Sequence, residues 1–274
     1  MLPASNASSP LVNSSTLQDS SEVMDTNWEL PDPLKRAWPV VGSTRNFLPT
    51  QESSLSNLEF PFVGAGTAYR MSTYDGEQIL VIPRSFLDEL GNFQGLTTET
   101  ERYIPTLLDP ANNFFMDREA AEEDPSHKQI IPYTLFRFEN RYLHYVRGKS
   151  GGESRLHSQG SLGIGGHINP VDEREGHLGH ETYMAGVERE IEEELILKSK
   201  PSQRVVALLN DDSNTVGQVH LGVVHLFELA DDCVSAREDA LHNLQFRTIE
   251  ELRGPLYQSL ESWTRFCVDA LDRF

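Results

Sequence analysis

Between Glu181 and Leu197 the chain reads ETYMAGVEREIEEELIL, and five of the seven residues from Glu188 to Glu194 are glutamate. A run of like charge this dense survives in a folded domain only if its register keeps the charge off the core. At about 100° per residue, Glu190, Glu193 and Glu194 fall at i, i+3 and i+4, on one helix face one turn apart. Met184, Val187, Ile191 and Leu195 recur at 3, 4 and 4 spacing, which predicts a separate stripe packed on a core. Left to themselves, Glu190 and Glu194 would repel by a few tenths of a kcal/mol. A divalent cation removes that penalty, and a ligand set made only of oxygens suits a hard ion, Mg²⁺ or Mn²⁺.

The surroundings of the run are equally ordered. A strand-like segment ending in Gly165-Gly166 precedes it, and Glu181 is followed after seven residues by Arg189-Glu190-Ile191-Glu192-Glu193-Glu194. This resembles the box of the Nudix hydrolases: Gly, five residues, Glu, seven residues, then Arg-Glu-apolar-x-Glu-Glu-x-Gly-apolar. Six fixed positions fall in register. Two do not match: Ile196 stands where the family ends its helix with Gly, and fourteen residues instead of five separate Gly166 from Glu181. The extra nine lie in INPVDEREGHLGH, a polar, Pro- and Gly-containing stretch that a loop can absorb at small entropic cost.

The resemblance covers roughly residues 128–274 and implies an α/β fold, an αβα sandwich around a mixed sheet, with an N-terminal extension. It also implies hydrolysis of a nucleoside diphosphate linked to another moiety. On the matching positions, Glu193 and Glu194 are metal ligands, Glu190 is a ligand or general base, and Gly166 supplies a backbone carbonyl near the metal. Arg189 is structural, paired with a box carboxylate such as Glu181 or Glu193. The family's general base outside the helix has no position that the sequence identifies. Two other roles occur on this fold. A silent nucleotide-sensing domain would have no need to retain Glu190, Glu193 and Glu194. An isomerase of the isopentenyl-diphosphate type needs an upstream cysteine, whereas Cys233 and Cys267 both follow the box.

Composition narrows the partners. The net charge of −19 opposes nonspecific binding to a nucleic-acid backbone, but not to a small diphosphate whose charge a metal offsets. Two cysteines without metal-ligand spacing suit a reducing cytoplasm. With no run of 18 apolar residues and no basic-then-apolar leader, neither a membrane span nor a secretory signal is expected. A homodimer is compatible with the sequence.

In chain order, residues 1–58 are rich in Ser and Pro and poor in core formers, which predicts a disordered tail. Residues 59–127 carry two strand-like runs, FPFVGAGTAYRM and EQILVIPRSFL, then a loop at 92–96 and two short helices, ETERYIPTLLD and MDREAAEED; they are read as an accessory segment packed on the core. Residues 131–138 and 141–147 form a hairpin turning at Glu139-Asn140, and SRLHSQGSLGIGGHI leads as a strand into the box. QRVVALLN and QVHLGVVHLFEL are strands around the loop DDSNTVG. LQFRTIEEL is a strand followed by an acidic helix. The last helix shows Leu260, Trp263, Cys267 and Leu271 on one face.

Candidates for substrate contact are His167, next to the glycines, and the cations Arg84, Arg137 and Arg147. His177 and His180, with Asp172 and Glu173, are a candidate second metal site inside the insertion. His220 and His225, five apart on a strand, face opposite sides of the sheet. Asp211 and Asp212 are turn formers with a candidate role near the site.

Overall fold

The computed structural model describes residue 74 and residues 76–148, 159–237 and 241–274. The expected tail 1–58 and the first run of the accessory segment lie outside them.

The elements run β1 (Gln78–Pro83), α1 (Arg84–Gly91), β2 (Gly95–Thr97), α2 (Thr100–Leu107), β3 (Phe114–Asp117), α3 (Arg118–Glu123), β4 (His127–Phe138), β5 (Arg141–Arg147), β6 (Gly160–Ser161), α4 (His180–Glu194), β7 (Leu195–Leu197), β8 (Ser202–Asn210), α5 (Thr215–Val219), β9 (His220–Glu228), β10 (Val234–Ala236), β11 (Leu241–Thr248), α6 (Ile249–Arg253) and α7 (Ser262–Ala270). One mixed sheet has the order β11-β5-β4-β9-β8-β2, with β1 and β3 attached at β4 and β6 at β5; β7 and β10 form a separate pair. At its centre β4 and β9 run parallel from Gln129↔His220 to Arg137↔Glu228, and the other pairings are antiparallel.

Alternation along the central strands separates two cores. Leu221 and Val223 of β9 pack with Tyr183, Val187 and Ile191 of α4 and with Leu87, Tyr103 and Leu107 of α1 and α2. Val224 and Leu226 point the other way, onto Leu252 of α6 and Cys267, Val268 and Leu271 at α7. This is the αβα sandwich around a mixed sheet. The terminal helices close it through a capping box, in which Thr248 accepts from Glu251 N and Glu251 accepts from Thr248 N.

The segment before the box is part of the sheet itself. Strand β1 pairs with β4, and β2, expected as a loop, pairs with β8 from Gly95↔Asn210 to Thr97↔Leu208. The strand expected through Leu87 stops at Pro83, which stands as the N-cap just before α1 with φ −55 and ψ 131. The loop DDSNTVG winds up as α5, started by the Asn214 side chain accepting from Gly217 N. Of the expected strand into the box, residues 154–158 lie outside the described residues; after them Gly160–Ser161 pairs with β5, and Ile164 bridges to Thr134.

That approach determines where the site lies. Strand β5 contacts β4 at Arg137 and Phe138, and β1 contacts it at His127–Gln129. Between these two, the outer edge of β4 is taken by the glycine segment. Thr134 and Ile164 exchange both backbone hydrogen bonds, and Ile168 O then accepts from Leu80 N of β1. Gly165 must be glycine here, because a Cβ would run into the carbonyl of Pro132.

Candidate active site

Helix α4 ends at Glu194, earlier than the periodicity through Leu195 implies. Leu195 is extended (φ −126, ψ 154) and opens β7, paired with β10. The missing family glycine is thereby explained: a chain that leaves its helix in extended conformation needs no left-handed residue at Ile196. Arg237 N caps the Glu194 carbonyl, and Leu195 stays buried as the last member of the apolar stripe.

The glycine entry and the helix meet. A Cβ built on Gly166 would lie 2.7 Å from Glu190 Cδ, so the bare backbone leaves room for that carboxylate. Gly176, in contrast, is at φ +75 with open space around it. Gly166 is therefore the glycine that aligns with the helix. Glu193 lies one turn further on and is 53% exposed along its side chain; Glu194 is half-buried.

The insertion folds back onto the helix. Pro170–Asp172 forms a single 3₁₀ turn, and Ile168 and Asp172 close over Gly186, where a side chain would clash. Thr182 Oγ1 donates to His177 O at 2.6 Å and accepts from Arg174 N at 2.8 Å. Asp172 is buried and accepts from Arg189 Nε at 2.8 Å and Nη2 at 2.9 Å. The same guanidinium reaches Glu190 Oε1 at 2.8 Å, Glu193 Oε2 at 3.2 Å and the carbonyl of His167 at 2.8 Å. The structural role read for Arg189 is thus filled chiefly by Asp172, from within the inserted residues. Asp172 consequently faces Arg189 instead of grouping with Glu173, His177 and His180.

Burial raises the Glu190 carboxyl above its ordinary range even with Arg189 alongside, and Glu193 and Asp172 push it further the same way. Negative charge at this face exceeds what Arg189 supplies. An oxygen-only donor set, an under-compensated carboxylate and a backbone cradle that a Cβ would fill together fit a hard divalent cation.

The candidate cations lie elsewhere. Arg84 is paired with Asp212, which also accepts from Lys128 Nζ at 2.7 Å. Arg137 is clamped by Glu228, with Nε 2.9 Å from Oε2. It stands eight residues along β4 from Gln129, the partner of His167, or roughly 26 Å. Arg147 pairs with buried Glu261, Nε to Oε2 3.1 Å. Each arginine already holds a carboxylate, and the structure does not gather the three with His167. Asp211 accepts from Gln94, Ser213 and Asn214, in keeping with a turn former.

His167 turns inward: Nε2 lies 2.7 Å from Gln129 Oε1, its ring is tilted against His220, and burial lowers its pKa well below the ordinary value. His225 faces α4, where Nε2 meets Tyr183 Oη at 2.8 Å and Nδ1 meets Gln203 Oε1 at 3.2 Å. The buried Tyr183 lies outside the stripe that the spacing selects. Its only signal in the sequence is a large aromatic on an otherwise charged helix.

No family model matches the chain. It is 37% identical over 203 residues to Protein YmaB of Bacillus subtilis (strain 168), a match spanning 72% of this chain and 98% of that protein. Among solved structures it is similar to Tm1382, a candidate Nudix hydrolase, with a TM-score of 0.59 and 30% identity over 71% of this chain and 98% of that one.

Proposed function

The chain belongs to the Nudix hydrolase family, and from that premise we propose that it is a divalent-metal-dependent hydrolase cleaving the phosphoanhydride of a small diphosphate, such as a nucleoside diphosphate linked to another moiety. The observation that carries this reading is Gly166 seated against Glu190, with Glu193 and Glu194 following on the same helix. Mg²⁺ or Mn²⁺ held there would neutralise the phosphate oxygens and activate water. Glu193 and Glu194 would hold the ion, together with the carbonyl of Gly166. Arg189, anchored by Asp172, keeps Glu190 aimed at the glycine. Glu190, the most enclosed of the three, is the box carboxylate suited to receive a proton from the attacking water. His167, one residue from the cradle, would reach the phosphates by turning out from Gln129, whereas Arg84, Arg137 and Arg147 would each first have to release a carboxylate.

The test is a panel of nucleoside diphosphate derivatives incubated with the full chain and Mg²⁺ or Mn²⁺, with release of phosphomonoester products measured. Turnover that requires the metal and falls in Glu193→Gln supports the reading. Tight nucleotide binding without turnover across the panel would move it to a sensing domain.

A further inference from the structure

A second cluster of ligand-type side chains lies beside the glycine entry, apart from the carboxylate face of α4. Glu122 of α3, His167 and His220 at the start of β9 each place one ligand atom within 4.8 Å of the others. They come from three distant parts of the sequence. We propose that they form a transition-metal site of two imidazoles and one carboxylate, distinct from the carboxylate face of α4 and suited to Zn²⁺ or a neighbouring first-row ion.

The ring orientations support this. His220 Nδ1 lies 2.7 Å from Val216 O, an acceptor, so Nδ1 carries the hydrogen and Nε2 presents its lone pair. That nitrogen is the one 3.9 Å from Glu122 Oε1. A backbone carbonyl on the far nitrogen is the usual way of fixing a metal-binding imidazole. His167 is held likewise, since Gln129 Oε1 can only accept from its Nε2. The two rings lie 5.9 Å apart and 54° from coplanar, converging instead of stacked.

The second observation concerns donors. Gln129 Nε2 and Arg118 Nε are both buried and have no hydrogen-bond partner among the described residues. Gln129 is bonded to His167, and Arg118 Nε lies 3.9 Å from Glu122 Oε1. A buried donor without an acceptor is unfavourable and points to a missing group. Two histidines and one glutamate leave a metal's fourth position to water or to a substrate oxygen, and either is an acceptor. The charge of Arg118 does not oppose the ion unopposed, because Glu77 Oε2 takes its Nη1 at 2.7 Å.

The chemistry selects the metal. Imidazole with carboxylate suits Zn²⁺, Fe²⁺, Co²⁺ or Mn²⁺ and is a poor set for Mg²⁺, which demands oxygen and retains its waters. Zinc bonds of about 2.0–2.1 Å place tetrahedral ligand atoms about 3.4 Å apart. The present spacing therefore needs to close by up to about 1.4 Å, within reach of side-chain rotations. Since Glu122 belongs to the segment before β4, the ion would fasten that segment to the box entry and to β9.

The test is metal binding by the full chain after dialysis against a chelator, so it does not depend on turnover. Co²⁺ should bind one equivalent with visible absorption lacking a thiolate charge-transfer band, Zn²⁺ should displace it, and Zn²⁺ should raise the melting temperature. Glu122→Gln and His220→Gln should each weaken Zn²⁺ at least tenfold, and Glu193→Gln should leave it unchanged. Zinc affinity equal in the parent and Glu122→Gln would overturn the proposal. So would affinity lost in Glu193→Gln alone, which would assign the ion to α4. Glu122 is partly exposed, so its variant decides the matter even if His220→Gln fails to fold.

Discussion

Two charged clusters lie near the N-terminal end of β4, and they solve the problem of burial differently. In the first, Arg84 and Lys128 face Asp212, and Asp88 stands 3.8 Å from Arg84: two positive charges against two negative. Lys128 is completely buried and donates to Gly217 O as well. In the second, among the described residues, Arg189 alone pairs with Asp172, Glu190 and Glu193. The first cluster is closed, with its charge cancelled by its own members. The second is left negative on the face where the glycine backbone makes room. A balanced cluster joins elements, and an unbalanced one is set to receive an ion.

The sharpest way to break this comparison is to unbalance the closed cluster. Asp212→Ala strips Lys128 of its carboxylate and should cost about 3–5 kcal/mol, read from urea unfolding. Lys128→Met should cost much less, because Asp212 keeps Arg84. If Asp212→Ala is tolerated, the cluster is not the joint described.

The open cluster should respond in rate instead. Glu193→Gln or Glu194→Gln preserves volume and removes one negative charge from the metal face. Metal-dependent turnover should fall on the order of 10²-fold, while the melting temperature holds or rises slightly. A parallel loss of stability would show these carboxylates to be structural.

The adjacent glycines carry the same contrast at smaller scale. Gly165→Ala drives a Cβ into the Pro132 backbone, which cannot swing aside, and should destabilise by about 1–3 kcal/mol. Gly166→Ala meets first the Glu190 side chain, which can move. It should change stability by less than about 0.5 kcal/mol and still lower turnover, because Glu190 is displaced. Equal melting temperatures for the two variants would contradict this.

Acid tests the buried histidines, His225 on the α4 side of the sheet and His144 on the other, beside Gly160 and Leu260. Burial lowers His225 to about 3 and His144 to about 4, so both are neutral in the folded protein near neutrality. The unfolded chain takes up these protons first, near pH 6.5. Stability is therefore fully present above that value and is lost as pH falls toward 4, by up to about 1.4 kcal/mol per pH unit for each histidine. His225→Gln should flatten the dependence of the melting temperature over that window, and an unchanged slope would mean that His225 is already charged when folded.

How far the sequence foretold this arrangement depends on the distance over which each contact acts. The α4 register, the β4–β5 hairpin and the strand order after the box follow from periods of 3.6 and 2, which any short window displays. Asp172 pairs with Arg189 across seventeen residues, and Glu122 approaches His220 across ninety-eight. No local pattern announces such meetings. The insertion therefore read as an excursion, although it supplies the carboxylate that anchors Arg189. Strand β2 escaped for a related reason: three residues beginning with Gly95 have too little alternation to register, and only pairing with β8 makes them a strand.

The smallest expected effect completes the comparison, because it separates position from charge. Glu192 lies within the same run but about 160° around the helix from Glu190, and it is exposed. Its substitution by Gln removes the same unit of charge from the same helix as Glu193→Gln does. If the negative field of the run as a whole attracted the ion, both variants would lose comparable activity, and salt would weaken both losses. If the face matters, Glu192→Gln should keep turnover within about twofold of the parent and stability within about 0.5 kcal/mol. Turnover and melting measured for Glu192→Gln, Glu193→Gln and Glu194→Gln under one set of conditions decide between these. Equal activity in all three would leave α4 a solvated acidic helix, whereas a loss confined to 193 and 194 would tie it to the turn of helix that faces Gly166.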